Sequence, residues 1–194
     1  MEHHRLGAFV DAVIAIIITI MVLELKVPHE ATFHALIEMG PIFLSYVLSF
    51  IYLGIYWNNH HHFYQLARRV NGAVLWANIH LLFWLSLVPF ATAWMGENHF
   101  AAAPMAVYGA VLLMSAVSYY LMQLVVIRML GRDSDFARAV GKDWKGKASP
   151  FLYAAGIASA FVNPWLSGAF YVFVAGMWLV PDSRMEKAII AKEA

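Results

Sequence analysis

The sequence predicts an all-α integral membrane protein, a single domain over residues 1–194 with six transmembrane helices per subunit. Hydrophobic residues make up 62% of the chain and charged residues only 13%, about half the roughly 25% of an average soluble domain. Long runs without Asp, Glu, Lys or Arg recur along the chain, and the basic residues fall almost entirely between alternate runs. A soluble protein this small needs more polar surface, so we expect lipid to be its solvent.

The first apolar run covers 12–23, is extended by flanking apolar residues and ends at Pro28. Arg5 in front of such a run is also typical of a signal peptide. Asp11, however, interrupts the start, and Glu24 follows where a cleavage site would need small residues. We therefore predict a retained helix.

The later runs predict the remaining spans. They cover 39–67, 70–96, 98–127 and 148–181. A span needs about 20 residues, so the last run is too long for one ordinary helix. Its centre contains Asn163-Pro164, a turn signal, which predicts two short helices at about 149–162 and 164–180.

The distribution of basic residues tests this count. With six spans and the N-terminus inside, only Lys26 lies outside, as the positive-inside rule requires. The twelve inner residues are Arg5, Arg68, Arg69, Arg128, Arg132, Arg138, Lys142, Lys145, Lys147, Arg184, Lys187 and Lys192. Both termini are therefore predicted to be cytoplasmic. The inner segment 128–147 is the one sizeable soluble piece, and Trp144 and its basic residues either lie along the headgroups or act only as topology signals.

The first predicted helix differs from the others because it has no aromatic residue between Phe9 and Phe33. At about 100° per residue, four side chains share one face: Ile16, Thr19, Ile20 and Leu23. Several copies around an axis would stack these into apolar rings and one ring of hydroxyls, which are elements of gating and selectivity in channels. The alternative is a plain buried helix in which Thr19 bonds to the carbonyl of Ala15.

Asp11 is a carboxylate near the start of a membrane helix, where it is costly unless paired or hydrogen-bonded. One interpretation is a capping role at the helix N-terminus. The other is a polar anchor that reaches side chains of neighbouring helices. The available partners are Arg5, His60, His61, His62, Asn78 and His80.

Three consecutive histidines, His60–His62, follow Trp57 at the inner end of the second span. Neighbouring residues on a helix point about 100° apart, so these cannot all bind one metal ion. We expect a hydrogen-bonded cluster with some pH sensitivity, and expect Asn78, two residues after Trp76, to bond across helices. The chain has no cysteine and no catalytic signature, so it is not expected to be an enzyme.

Several motifs together resemble the prokaryotic members of the lysosomal potassium channel family called transmembrane protein 175. These are Arg-Leu-Gly-Ala-Phe-Val-Asp at 5–11 with an apolar run and a Leu-Glu-Leu-Lys-Val-Pro exit, Trp-Asn-Asn-His-His-x-Phe at 57–63, Trp-x-Asn at 76–78, and Pro-Phe at 89–90. The resemblance covers the whole six-span length. Val10 departs from it, because the family usually has Ser there, which removes one hydroxyl next to Asp11.

The resemblance implies a homotetramer that conducts potassium and other monovalent cations passively across the plasma membrane of a prokaryote, without a cofactor. The first helix of each subunit would line the pore, with Ile16 as the principal constriction, Ile20 and Leu23 above it, and Thr19 as a hydroxyl layer. The signature residues and their partners would form a structural network around the pore: Arg5, Phe9, Asp11, Trp57, His60, His61, Trp76 and Asn78.

Three other functions fit some of the same residues. A proton-coupled secondary transporter would use Asp11 and the histidines as a relay, but carriers of this kind usually have internal repeats, and none is visible in the sequence. A membrane enzyme would need a metal bound by histidines. A structural subunit would not conduct. The expected partners are cations, lipid and further copies of the chain, not nucleic acid.

Overall fold

The computed structural model describes residues 3–67, 70–141 and 143–179, with side chains from Arg5 onwards. Within these ranges all regular secondary structure is helical, which confirms the predicted class. The helices are α1 (His3–Leu23), α2 (Phe33–Glu38), α3 (Gly40–Leu66), α4 (Gly72–Ser86), α5 (Val88–Glu97), α6 (Ala102–Leu130), α7 (Asp135–Val140), α8 (Trp144–Ala160) and α9 (Pro164–Leu179). Arg68, Arg69, Lys142 and the basic residues after 179 lie outside the described residues.

Four segments of the described chain are long and apolar enough to cross a membrane. They are Arg5–Leu23, Gly40–Leu66, Gly72–Glu97 and Ala102–Leu130, and they correspond to the first four predicted spans. The fifth apolar segment, α9, has 16 residues, fewer than the roughly 20 of an ordinary span. The sixfold count therefore stays a prediction for the part of the chain formed by α8 and α9.

The predicted turn between the last two helices is present. Helix α8 ends at Ala160 and α9 begins at Pro164, where the side-chain oxygen of Asn163 accepts a hydrogen bond from the backbone N–H of Trp165 (3.0 Å). Proline suits the first turn of a helix because it lacks an N–H that would otherwise be unsatisfied. The predicted pair of short helices is thus confirmed over the described residues.

The inner segment 128–147 is less of a loop than predicted. Helix α6 continues to Leu130, α7 follows, and α8 begins at Trp144 instead of at about 149. Two polar side chains explain the extra helix: Ser134 accepts from the N–H of Ala137 (3.2 Å) and Asp143 from that of Gly146 (2.9 Å). Such N-caps satisfy the free donors of a first helical turn.

The third predicted span is divided at Leu87 into α4 and α5. Pro89 is the second residue of α5, and its ring and missing N–H prevent an unbroken α-helix through this point. The N–H of Leu87 instead bonds to the carbonyl of Trp84 (3.2 Å). Helix α5, the second half of this span, therefore need not continue along the axis of α4.

Each of the other long helices packs against α3, α6 or both. Helices α1, α5 and α9 pack against α3, while α6 packs against α4, α5, α8 and α9. Helix α1 lies against α3, α4 and α5. Helix α1 therefore lies at one side of the subunit. The α8–α9 hairpin packs against α3 and α6.

Buried hydroxyls join the central helices. Ser49 of α3 is hydrogen-bonded to Thr92 of α5 (2.6 Å) and to Tyr108 of α6 (2.9 Å). The hydroxyl of Tyr52 donates to the backbone oxygen of Tyr171 in α9 (2.5 Å). Because hydrocarbon offers no water to replace a lost partner, these bonds define how the helices are aligned.

Tyr171 occupies a slot that two glycines leave open. Its ring lies against Gly109 of α6 and Gly156 of α8, and its hydroxyl donates to the carbonyl of Met105 (3.1 Å). Small residues let membrane helices approach closely. The slot therefore sets the spacing of α6, α8 and α9.

An ion pair links the C-terminal ends of α1 and α5. Lys26, just after α1, contacts Glu97 at the end of α5 (2.9 Å). The hydrogen bond to Glu97, followed by the charge of that carboxylate, raises the pKa of the Lys26 ammonium. Both side chains are exposed, so the pair adds little stability but links the end of α1 to α5.

We predict that Gly109→Ala lowers the thermal stability of the purified protein. The new methyl would overlap the Tyr171 ring and Ile157, and overpacking of this kind costs about 1–3 kcal/mol. The matched control is Gly54→Ala in α3, where nothing lies within 4 Å of the added methyl and alanine favours the helix. Melting in detergent, followed by size-exclusion chromatography, compares the two. Equal melting temperatures of the two variants would show that Tyr171 does not depend on the space left by Gly109.

Candidate pore-lining site

Helix α1 is buried on one side only. Its buried residues recur every three or four positions, the spacing of a single helix face, and pack where α3, α4 and α5 meet. They are Leu6, Val10, Ile14, Ile17 and Met21. Most of the other residues of α1 are exposed on the surface of the subunit.

The predicted apolar stripe lies on the outward side of α1. Ile16 is 57% exposed, Ile20 is 43% exposed and Leu23 is 80% exposed, and Thr19 is exposed between them. The alternative of a helix buried on this face is therefore wrong for the single subunit. The pore role of the stripe stays a prediction.

The hydroxyl of Thr19 is used within its own helix. Oγ1 donates to the carbonyl of Ala15 (2.7 Å) and lies 2.9 Å from that of Ile16. The bond to Ala15 is the one expected under the alternative interpretation of a plain helix. Because the single hydroxyl proton is committed in this way, the oxygen presents only lone pairs to its other neighbours.

Val10 is completely buried in the stripe that faces the rest of the subunit. An apolar side chain suits this position, since it adds to the packing of α1 where a hydroxyl would need a partner. The replacement of the family's usual Ser is therefore compatible with this arrangement of helices.

Asp11 does not cap its helix, because α1 begins at His3 and the carboxylate lies about two turns further along. It lines an open groove of about 360 Å³ together with His60, His61, Tyr64 and Gln65 of α3. Among the described residues it has no hydrogen-bond or ion-pair partner. Asp11 therefore lines the same groove as His60 and His61, two of its predicted partners, but is not hydrogen-bonded to either.

His60 and Asn78 form the buried part of the predicted network. Both are almost fully buried, and Nε2 of His60 donates to Oδ1 of Asn78 (3.0 Å). The hydroxyl of Tyr64 donates to the same oxygen (3.3 Å). This bond between α3 and α4 is of the cross-helix kind that the sequence predicts for Asn78. Tyr64 was not among the predicted network residues, although its position four residues after His60 places it on the same face.

The other predicted network residues point out of the subunit. His61 is exposed, stacks on Trp57 and accepts a hydrogen bond from Gln65 (3.0 Å). Phe9 is 52% exposed and Trp76 is 73% exposed, and Arg5 is exposed as well. A network joining all of them stays a prediction. Within one subunit the structure brings together two pairs, His60 with Asn78 and Trp57 with His61. No cluster of three metal-binding side chains occurs among the described residues.

Comparisons with known proteins agree on one family. The model of the family described as "Endosomal/lysosomal potassium channel TMEM175" matches residues 5–89. A potassium channel of Chryseobacterium sp. (strain P1-3) is 51% identical over 189 residues, which are 97% of this chain and 98% of the relative. A potassium channel of Streptomyces collinus is 38% identical over 45% of each chain.

A solved structure has the same fold. The crystal structure of a lysosomal potassium-selective channel TMEM175 homolog from Chamaesiphon minutus superposes with a TM-score of 0.80 at 28% sequence identity. The match covers 93% of this chain and 97% of that one. The match therefore extends well beyond residues 5–89, the part of the chain that the family model matches.

We predict that Asn78→Ala destabilises the subunit by about 1–3 kcal/mol, because it leaves the N–H of His60 and the hydroxyl of Tyr64 without an acceptor. Asn58→Ala is the control, since the amide of Asn58 makes no side-chain hydrogen bond in the described chain. Thermal melts in detergent measure both. Equal decreases in melting temperature for the two substitutions would show that the hydrogen bonds to Asn78 add no measurable stability.

Proposed function

The chain belongs to the TMEM175 family of endosomal/lysosomal potassium channels, and we propose that four copies form a potassium-permeable channel in a cell membrane. The family consists of ion channels, not enzymes. Its bacterial relatives are named potassium channels. In the proposed assembly the four α1 helices surround a central pore.

The outward face of α1 is the observation that carries this proposal. The helix is the most apolar of the candidate spans by mean hydropathy, yet it buries only one narrow stripe against its own subunit. The opposite stripe combines large apolar side chains with one hydroxyl in a regular order. This order supports its placement around a common axis, since lipid contact alone would not require it.

The proposed pore conducts by partial dehydration of the ion. Rings of Ile16, Ile20 and Leu23 would form a narrow apolar passage, which resists wetting and so limits conduction. The hydroxyl oxygens of Thr19 would lie between these rings. Their lone pairs can take the place of some of the water that a cation loses there.

The proposed topology has six spans, with α8 and α9 as the last two and both termini cytoplasmic. Lys145 and Lys147 lie in the first turn of α8, at the same end of the bundle as Arg128 in the last turn of α6. Trp144 and Trp165 are both exposed; Trp144 is the first residue of α8 and Trp165 is the second residue of α9. Exposed tryptophans at opposite ends of the hairpin support two membrane interfaces.

The transporter alternative is not favoured. The relatives are named channels, and Asp11 is not hydrogen-bonded to the histidines with which a relay would exchange protons. The buried His60 is instead engaged by Asn78. No continuous relay therefore runs along the described part of α1 and α3.

Ion flux into liposomes tests the proposed function. The reconstituted protein is compared with empty liposomes in potassium, sodium and caesium, with and without a membrane potential. We expect potassium flux that follows the potential, needs no pH gradient and does not saturate. Flux that saturates and depends on a pH gradient would instead indicate a carrier.

In the same assay, we predict that Ile16→Asn raises potassium flux about tenfold, equivalent to a barrier lower by about 1.4 kcal/mol, or weakens ion discrimination. A polar ring would wet the narrowest part of the passage. The control is Val22→Asn, since Val22 is also exposed but lies about 120° around the helix. Unchanged flux in Ile16→Asn, or an equal rise in both variants, would place the constriction elsewhere.

We further predict that Thr19→Val lowers the ratio of potassium to sodium permeability, whereas Thr19→Ser keeps it. Valine has the shape of threonine without the oxygen, and serine keeps the oxygen without the methyl group. Reversal potentials in mixed potassium and sodium solutions give the ratio. The same ratio in all three proteins would remove the hydroxyl from the selectivity mechanism.

A further inference from the structure

A small cavity lies in the bundle away from the candidate pore face. It is enclosed by α3, α6, α8 and α9 and has a volume of about 40 Å³, room for about two or three water molecules. Helix α1 contributes no lining residue. Half of the lining residues are aromatic: Tyr52, Tyr56, Tyr119, Tyr120, Tyr153 and Trp178.

Two amides face this cavity without a protein partner. The side chain of Gln123 in α6 is 97% buried, since only 3% of the residue is exposed, and among the described residues nothing is hydrogen-bonded to it. Asn59 of α3 also lines the cavity, and its side-chain amide has no partner in the described chain either. A buried amide loses its hydrogen bonds to water on folding, so Gln123 requires an occupant that can donate and accept, and the half-buried Asn59 offers a second amide to the same occupant.

Two other polar groups of the wall are already engaged. The hydroxyl of Ser149 donates to the carbonyl of Lys145 (2.8 Å) and accepts from Nε1 of Trp178 (2.9 Å). The hydroxyl of Tyr52 donates to the backbone of Tyr171. The amides of Gln123 and Asn59 therefore keep hydrogen-bonding capacity that the hydroxyls of Ser149 and Tyr52 have already used.

Charge and size define the chemical class of the occupant. Among the described residues, no Asp, Glu, Lys or Arg lines the cavity, so they offer no counter-charge to an ion, and the volume limits a ligand to about four non-hydrogen atoms. We propose that the cavity binds small neutral alcohols, whose hydroxyl bonds to the amides of Gln123 and Asn59 while the carbon chain lies against the aromatic rings. The alcohol replaces water that the aromatic walls hold poorly.

This site is separate from the proposed ion pathway. It is lined by residues of the α3 face that meets α6 and α8, whereas His60 of the same helix is bonded to α4. Alcohol binding here does not rest on the channel function, and a protein that conducts nothing could still show it.

Quenching of Trp178 fluorescence by 2-bromoethanol tests the proposal. This probe has four non-hydrogen atoms, its bromine quenches tryptophan on contact, and the chain has no cysteine for it to alkylate. Subtracting the signal of Trp178→Phe isolates Trp178 from the other six tryptophans. We expect quenching that saturates, because a single site fills. Quenching that rises linearly would show collision only and would overturn the proposal.

Three variants, each paired with Trp178→Phe, locate the binding. Gln123→Leu removes the amide at nearly constant volume and should raise the half-saturating concentration about tenfold. Ala116→Leu fills the cavity and should abolish the saturating component. Gln65→Leu is the matched control, since it makes the same change on α3 in the groove beside Asp11 and should leave the curve unaltered.

The Gln123→Leu and Gln65→Leu pair decides the proposal even where Ala116→Leu does not fold. A half-saturating concentration that is equal in these two variants would place the alcohol outside the cavity and would overturn it. Elution of each variant at the position of the wild type by size-exclusion chromatography confirms that folded protein is compared.

Discussion

The one-sided packing of α1 is the constraint on which the rest of the structure depends. Five apolar residues from Leu6 to Met21 hold the helix against α3, α4 and α5. A helix fixed by one face has only one orientation, so the direction of every other side chain on α1 follows from that contact. Ile16, Thr19 and Leu23 are turned outward by the burial of Ile14 and Ile17, and not by any bond of their own.

The bundle behind α1 is organised by polar pairs as much as by apolar packing. Ser49 bonds to both α5 and α6, and His60 bonds to α4. Within lipid, apolar contact between helices competes with equally apolar contact to acyl chains. Hydrogen bonds between particular residues therefore select the correct alignment of α3 with its neighbours, while the glycine slot around Tyr171 sets how closely α8 and α9 approach.

The sequence predicts the features that depend on local properties. Length and hydropathy locate the long helices, Asn163-Pro164 locates the last turn, and a periodicity of about 100° places Ile16, Thr19, Ile20 and Leu23 on one face. All these follow from the geometry of a single helix. The resemblance to a known family adds the channel function, which composition and spacing leave open.

Features that depend on contacts between helices or on caps could not be predicted in this way. Helix α2 and the early start of α8 depend on single capping side chains, Thr32 and Asp143, in segments whose composition is that of a loop. The position of Asp11 beside α3 depends on where α1 is placed along the axis of α3. The alcohol cavity depends on four helices at once, so Gln123 has no distinguishing sequence signal.

The internal hydrogen bond of Thr19 has a consequence for the sign of the transported charge. A hydroxyl normally both donates and accepts, and a chloride ion would be solvated by its proton. Here that proton is held by the backbone of α1, so a ring of such groups offers anions no donor while its oxygens remain attractive to cations. A pore built in this way would reject anions without any acidic side chain in its wall.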